Sequence, residues 1–163
     1  MSASQTAKPP FERIVGEHGP LVWRICRGLL DQHDAEDAWS ETFLAAMGAW
    51  ARFDGNVAGW LVTIAHRKAI DVIRAKSRSA FPTDELPDVA SSIGLPDGRD
   101  LDLWAALALL PPRQRAAVVH HHLAGAPFAE VAQLTGTTET AARKAASDGV
   151  QRLRTLLAGK DIA

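Results

Sequence analysis

Apolar residues recur at three- and four-residue steps through most of this chain, the period of helices with one buried face. Over residues 11–30 the stripe is Ile14, Val15, Leu21, Val22, Ile25 and Leu29, with Gly16, Gly19 and Pro20 predicted to bend or interrupt the helix. Asp34 is placed to cap the next helix, where Trp39, Phe43 and Met47 fall at four-residue steps with Ala46 and Trp50 beside them. Residues 51–58 carry Asp54-Gly55 and read as a turn. A third helix is predicted from about Gly59, with Leu61, Ile64, Ala65, Ala69, Val72 and Ile73 as its buried stripe. Further on, Leu101 to Leu110 reads as a short apolar helix stopped by Pro111-Pro112. Proline suits a first helical turn, so a new helix is predicted over about 112–124, ending at Gly125. Phe128, Val131 and Leu134 mark another, Thr135-Gly136 a turn, and a last helix covers about 138–157. No alternating strand pattern and no internal repeat is visible.

Between these two runs of helices the period is lost. Residues 81–100 hold Pro82, Pro87, Pro96, Gly94 and Gly98 and five acids, Asp84, Glu85, Asp88, Asp97 and Asp100, against one base, Arg99. The predicted fold class is therefore all-α: two small helical domains, residues 10–79 and 101–158, joined by an acidic flexible linker over 80–100.

Composition changes this picture in few places. Cys26 is the sole cysteine, which removes any intramolecular disulfide and any cysteine-rich metal site and suits a reducing compartment. Residues 1–10 have one lysine and no apolar run, so no signal peptide is expected there, and no stretch approaches a membrane span. A cytoplasmic location without membrane insertion is expected. The net charge of −1 argues against a free-standing, tight DNA binder. Charge is unevenly spread, however. Arg67, Lys68, Arg74, Lys76 and Arg78 crowd residues 66–78 against the single acid Asp71.

Three segments carry candidate chemistry. The run Asp34-Ala35-Glu36-Asp37-Ala38-Trp39-Ser40-Glu41 places acids at a helix start, which complements the helix dipole. The order of elements favours a second use, an acid-rimmed face that docks on a basic partner. The basic face at 67–78, beside Trp60 and a Gly/Asn loop, is either solvated or contacts phosphates and an unstacked base. Residues 128–154 fit a helix-turn-helix, with Thr137 or Thr138 as cap and Arg143, Lys144, Arg152 and Arg154 giving the second helix a basic cast; an ordinary helical hairpin is the alternative. His120-His121-His122 cannot face one metal ion, since adjacent helical side chains diverge. Partner contacts, DNA-backbone contacts or simple exposure are expected of them. Cys26 is expected in the core. No nucleophile triad, phosphate loop or dinucleotide motif is present, so no catalytic residue, metal or cofactor is expected.

Taken in order, these pieces resemble the extracytoplasmic-function (ECF, group IV) sigma factors of bacterial RNA polymerase over nearly the whole chain. The first half is similar to their region two through Asp34-Ala35-Glu36-Asp37, Glu41-Thr42-Phe43, Arg52-Phe53-Asp54-Gly55, Gly59-Trp60-Leu61, Ile64-Ala65 and Asp71-Val72-Ile73-Arg74. The second is similar to region four through Leu107, Leu110-Pro111-Pro112-Arg113-Gln114-Arg115, Leu123-Ala124-Gly125, Glu130-Val131-Ala132, Gly136 and Leu153-Arg154.

The resemblance implies partners and roles. Asp34, Glu36, Asp37, Ser40 and Glu41 would bind core RNA polymerase at its beta-prime clamp, with the beta flap as a further contact. Arg52, Asp54, Gly55, Asn56, Trp60, His66, Arg67, Arg74, Lys76 and Arg78 would lie at the minus-ten promoter element, whose loop captures a flipped base. Thr137, Thr138, Glu139, Thr140, Arg143 and Lys144 would face the minus-thirty-five element. An anti-sigma factor is implied as a regulator. The linker would either mimic nucleic acid in the polymerase channel or act as a plain tether. One departure stands out: Ala145-Ala146-Ser147-Asp148-Gly149 fills a stretch usually richer in arginine, where Asp148 repels phosphate and Gly149 costs the helix about 1 kcal/mol relative to alanine. That departure keeps a sigma-like decoy, which binds an anti-sigma factor without directing transcription, as the competing function. A free-standing helix-turn-helix repressor is disfavoured by the near-neutral charge and by the lack of a dimerisation helix.

Overall fold

Several helices start where the sequence supplies a partner for free N–H groups or a residue that needs none. The computed structural model describes residues 7–79 and 98–159, which contain seven α-helices and no strand. They are α1 (Phe11–Leu29), α2 (Gln32–Ala49), α3 (Val57–Ser79), α4 (Gly98–Ala108), α5 (Pro112–Val118), α6 (Phe128–Thr135) and α7 (Glu139–Ala158). A 3-10 turn, Trp50–Arg52, follows α2, and a π-helical turn, Val119–Leu123, follows α5. The segment expected as a linker lies outside the described residues up to position 97, while positions 98–100 belong to α4.

The α2 cap is Asp31, whose carboxylate accepts from the Asp34 N–H at 2.8 Å. Asp34, expected as the cap, sits instead in the first turn. Asn56 caps α3 by accepting from Gly59 N–H, Pro112 opens α5, and Thr138 caps α7 by accepting from Ala141 N–H at 3.1 Å. Gly136 ends α6 in the left-handed conformation at φ 66°, which lets Thr137 N–H close back on Ala132 C=O.

The predicted break in α1 does not occur. The helix runs through Pro20, because the carbonyl that Pro20 leaves without a donor belongs to the exposed Gly16, where solvent can satisfy it. One turn on, the Trp39 indole N–H donates to the Gly19 carbonyl at 3.0 Å and pins α2 to α1.

The helices α1, α2 and α3 surround Ile14, Val22, Ile25, Phe43, Leu61 and Ala65, and the same apolar cluster continues without a break into Leu107, Val118, Val119 and Leu153 of the second half. A smaller cluster, built from Ala117, Val131, Ala132, Ala142 and Ala146, underlies the α6–α7 pair. The two halves therefore pack face to face. At their junction Val119 presses against Gly28, where any Cβ would lie 2.6 Å from a valine methyl. Arg115 Nε donates to the Gly28 carbonyl at 2.6 Å, and Arg27 lies over the Trp104 ring. Burial, with Arg27 nearby, pushes the Arg115 guanidinium down to about 10 against the pull of Asp31, so it stays charged at neutral pH.

Gly149 has the same use within the second half. A Cβ there would sit 2.6 Å from a Val118 methyl and 3.2 Å from the Gln114 carbonyl oxygen. Two of the small residues in the Ala145–Gly149 stretch thus have a packing reason, since Ala146 and Gly149 are positions at which α7 seats on its own domain, while Ser147 and Asp148 are exposed. Replacing Gly149 by alanine gains about 1 kcal/mol of helix propensity but overpacks at a cost of about 1–3 kcal/mol. We expect Gly149→Ala to lose on the order of 1 kcal/mol in urea unfolding, opposite in sign to the same change at the open, exposed helical position Gly16.

Candidate nucleic-acid and polymerase interface

The exposed face of α2 has a graded character. Glu36, Asp37, Ser40 and Glu41 are exposed and lead into Leu44 and Met47, which are 62% and 54% exposed. Met47 was expected in the core beside Phe43. It projects outward instead, and the buried stripe of α2 is Ala35, Ala38, Thr42, Phe43 and Ala46. Acids at one end and bare apolar side chains at the other suit a partner helix with cations beside an apolar strip. Asp34 is set apart from this face. It pairs with Lys76 at the far end of α3, and Lys76 also reaches Asp31 at 3.2 Å. These contacts, the hydrogen bond to Asp34 foremost, raise the Lys76 ammonium above its ordinary value. Burial pushes the Asp31 carboxyl up, but the Asp34 N–H and Lys76 outweigh it and hold it below the usual range.

The loop between α2 and α3 is braced by stacked rings. Phe53 lies on Trp60 with centroids 3.9 Å apart and planes 8° off parallel, and Trp50 extends the stack. Lys8 donates to the Trp50 and Phe53 carbonyls and sits over the Trp50 ring, while the Trp50 indole N–H donates to Pro9 C=O. Trp60 is thereby half-buried as a support for the loop. The tip that it supports, Arg52, Asp54, Gly55 and Asn56, is exposed, with Gly55 at φ 138°, a conformation that suits glycine. Arg67, Arg74, Lys76 and Arg78 are exposed along α3. His66 is not: it is 7% exposed and its ring meets His120 across the junction of the halves.

On α7 the exposed residues Glu139, Thr140, Arg143 and Lys144 follow the Thr138 cap, with Thr137 half-buried in the turn. Arg143 pairs with Glu139 at 2.8 Å and lies over the Phe128 ring, so its guanidinium is held in place on the outer face. The tandem histidines diverge. His120 is fully buried, contrary to the expectation of surface contacts, His121 stacks on Phe128 and bonds to Ala126 C=O, and His122 is exposed. Among the described residues no three potential ligands gather around a metal position.

Two family models cover these surfaces, Sigma-70 region 2 over residues 14–79 and Sigma-70, region 4 over residues 100–153. The chain belongs to the ECF sigma factors. It is 31% identical to the RNA polymerase sigma factor CarQ of Myxococcus xanthus, over 93% of this chain and 91% of that one. It is 30% identical to the ECF RNA polymerase sigma factor SigE of Mycolicibacterium smegmatis, over 96% of this chain but only 65% of that relative's length. In fold it is similar to the sigma factor RpoE of Bartonella quintana, solved with the anti-sigma factor NepR, with a TM-score of 0.73 at 24% identity over 90% of this chain and 96% of that one. For this sigma factor, α6 and α7 are the helix-turn-helix of the second domain, and Thr138 sets where the second helix begins. Thr138→Ala should cost about 1 kcal/mol. Amide exchange in the first turn of α7, Ala141 first, should quicken while exchange in α1 stays as it was.

Proposed function

We propose that this chain is a transcription initiation factor. It binds core RNA polymerase, brings it to promoters with minus-ten and minus-thirty-five elements, and assists their melting. It acts by binding, with no catalytic step of its own. The observation that carries this reading is the division of its surface on two sigma modules. One acidic and apolar face lies on α2, and two exposed basic faces lie on α3 and α7. The first suits a protein partner and the other two suit phosphates. A net charge of −1 fits a factor that reaches DNA in company rather than alone. Among the described residues no helix is long and apolar enough to cross a membrane, consistent with action beside the chromosome in the cytoplasm. The structural relative bound to NepR supports an anti-sigma factor as the restraint.

The decoy reading loses part of its support, because Ala146 and Gly149 of α7 have a packing reason, and it keeps the exposed Asp148. The deciding experiment is run-off transcription of genomic fragments by core polymerase with and without the protein. New discrete starts sharing two upstream elements support initiation. No new starts, with core binding also absent in the same mixture, returns the decoy.

Two variants separate the faces. Arg67→Ala/Arg74→Ala removes two exposed cations and should lower promoter transcription tenfold or more while core binding is kept. Lys76 is unsuitable for this purpose, since its loss also unties α2 from α3. Leu44→Ala/Met47→Ala should weaken core binding instead, by about tenfold for each side chain buried on docking, with the fold unchanged in circular dichroism.

A further inference from the structure

The junction between the halves contains one polar contact with no solvent and no counter-charge. His66 Nδ1 and His120 Nε2 are 2.8 Å apart, His120 fully buried and His66 nearly so. The Leu134 carbonyl at the end of α6 favours a proton on His66, and with Nδ1 turned to His120 that proton sits on the other ring nitrogen. Nδ1 of His66 is then a lone pair, and His120 Nε2–H donates to it. That leaves His120 Nδ1 as a buried lone pair without a partner.

This arrangement holds only while both rings are neutral. A proton on His66 Nδ1 obliges His120 to accept at Nε2 and move its own proton to Nδ1, where it has no acceptor, and it sets a cation beside Arg67 with no counter-charge. A proton on His120 Nδ1 places a cation in the dry interior with no acceptor. The charged groups around the pair make matters worse. On α3 the neighbour is Arg67, whose field disfavours a proton on His66. The α1 and α5 sides of the junction bring Arg27 and Arg115, turned to the Leu30 and Gly28 carbonyls, and the carboxylate of Asp31 acts on those two arginines. The π-helical turn adds His121, bonded to Ala126, and the exposed His122. α6 offers the Leu134 carbonyl.

We propose that the His66–His120 contact is a proton-released latch, which keeps the two halves closed when neutral and lets them separate on acidification. The sign follows from burial. Desolvation lowers His66, and it lowers His120 to about 3, with each ring further disfavoured by a neighbouring cation or by the other ring. In the separated form each ring regains an ordinary value of about 6.5. Closure is thus favoured above that pH and is lost progressively as pH falls through it. Between pH 7.5 and 5.5 the balance moves about tenfold towards the separated form for each ring that excludes its proton when closed.

Separation matters for the proposed function, although the latch does not depend on it. The Leu134 carbonyl acts on His66 of α3, and α7 starts five residues later. At no more than about 3.6 Å per residue, the closed form keeps the start of α7 within roughly 18 Å of Leu134. Promoter elements some 25 base pairs apart are separated by about 85 Å, so the closed form cannot occupy both.

The test is small-angle scattering of the full chain at pH 7.5 and 5.5 at fixed ionic strength, with helix content followed by circular dichroism. Gly28→Leu, which drives a side chain into Val119, sets the size of the separated form. Wild type should be compact at pH 7.5 and expand towards that size at pH 5.5 with its helices intact. His66→Leu/His120→Leu, which cannot titrate, should stay compact at both. An unchanged wild-type size, loss of helix along with expansion, or equal acid expansion of the double variant each overturns the latch. Ring NMR signals of the wild type give a reading free of any folding defect in the variant. The two rings should take up protons only as the molecule expands, and ordinary titration of both in the compact form overturns the proposal.

Discussion

A missing side chain sets the spacing of the whole molecule. Gly28 leaves a hollow in α1, and Val119 fills it to a depth that no Cβ would allow. Because the π-helical turn begins at Val119, the same approach carries His120 to His66. It also brings Arg115 within reach of the Gly28 carbonyl, so three unlike contacts share one closest point. Backbone carbonyls that a buried guanidinium must find are present only because the helix surface is bare there. The interface is therefore specific at its centre, and the apolar cluster around it supplies area more than register.

Away from that centre the surfaces are segregated by sign. Acids at the start of α2 that help to build the fold, the cap Asp31 and Asp34, are spent on Lys76, while Glu36, Asp37 and Glu41 remain exposed on the outer face. Cations of α3 divide the same way, Lys76 inward to the pair and Arg67 and Arg74 to solvent. Near-zero net charge thus conceals two fields of opposite sign on one small molecule, and such fields steer partners over a Debye length of about 8–10 Å.

Much of the fold was legible in the hydrophobic period, because every helix buries one face. The turn at Gly136 and the Thr138 cap were legible for a different reason, since few residue types can hold those positions. What failed to show was partner identity. Met47 is apolar and in phase with Phe43, yet a period cannot tell a side chain that meets its own core from one left bare for another molecule. Asp34 looked like a cap because residue type points to a cap only within a turn or so, and Asp31 stands three residues earlier. His66 read as part of a basic face, since nothing along α3 announces that a histidine 54 residues later will cover it. Gly149 read as a weak point because helix propensity knows nothing of Val118. In each case the deciding atoms come from a distant part of the chain.

Cys26, buried in α1, has its thiol pushed up to about 12 by the loss of solvent. At neutral pH only about one molecule in a hundred thousand carries the thiolate that attacks peroxides and disulfides. With no second cysteine in the sequence to pair with, Cys26 is deaf to oxidants. Among the described residues, the sulfur open to an oxidant is the thioether of Met47, on the outer face of α2.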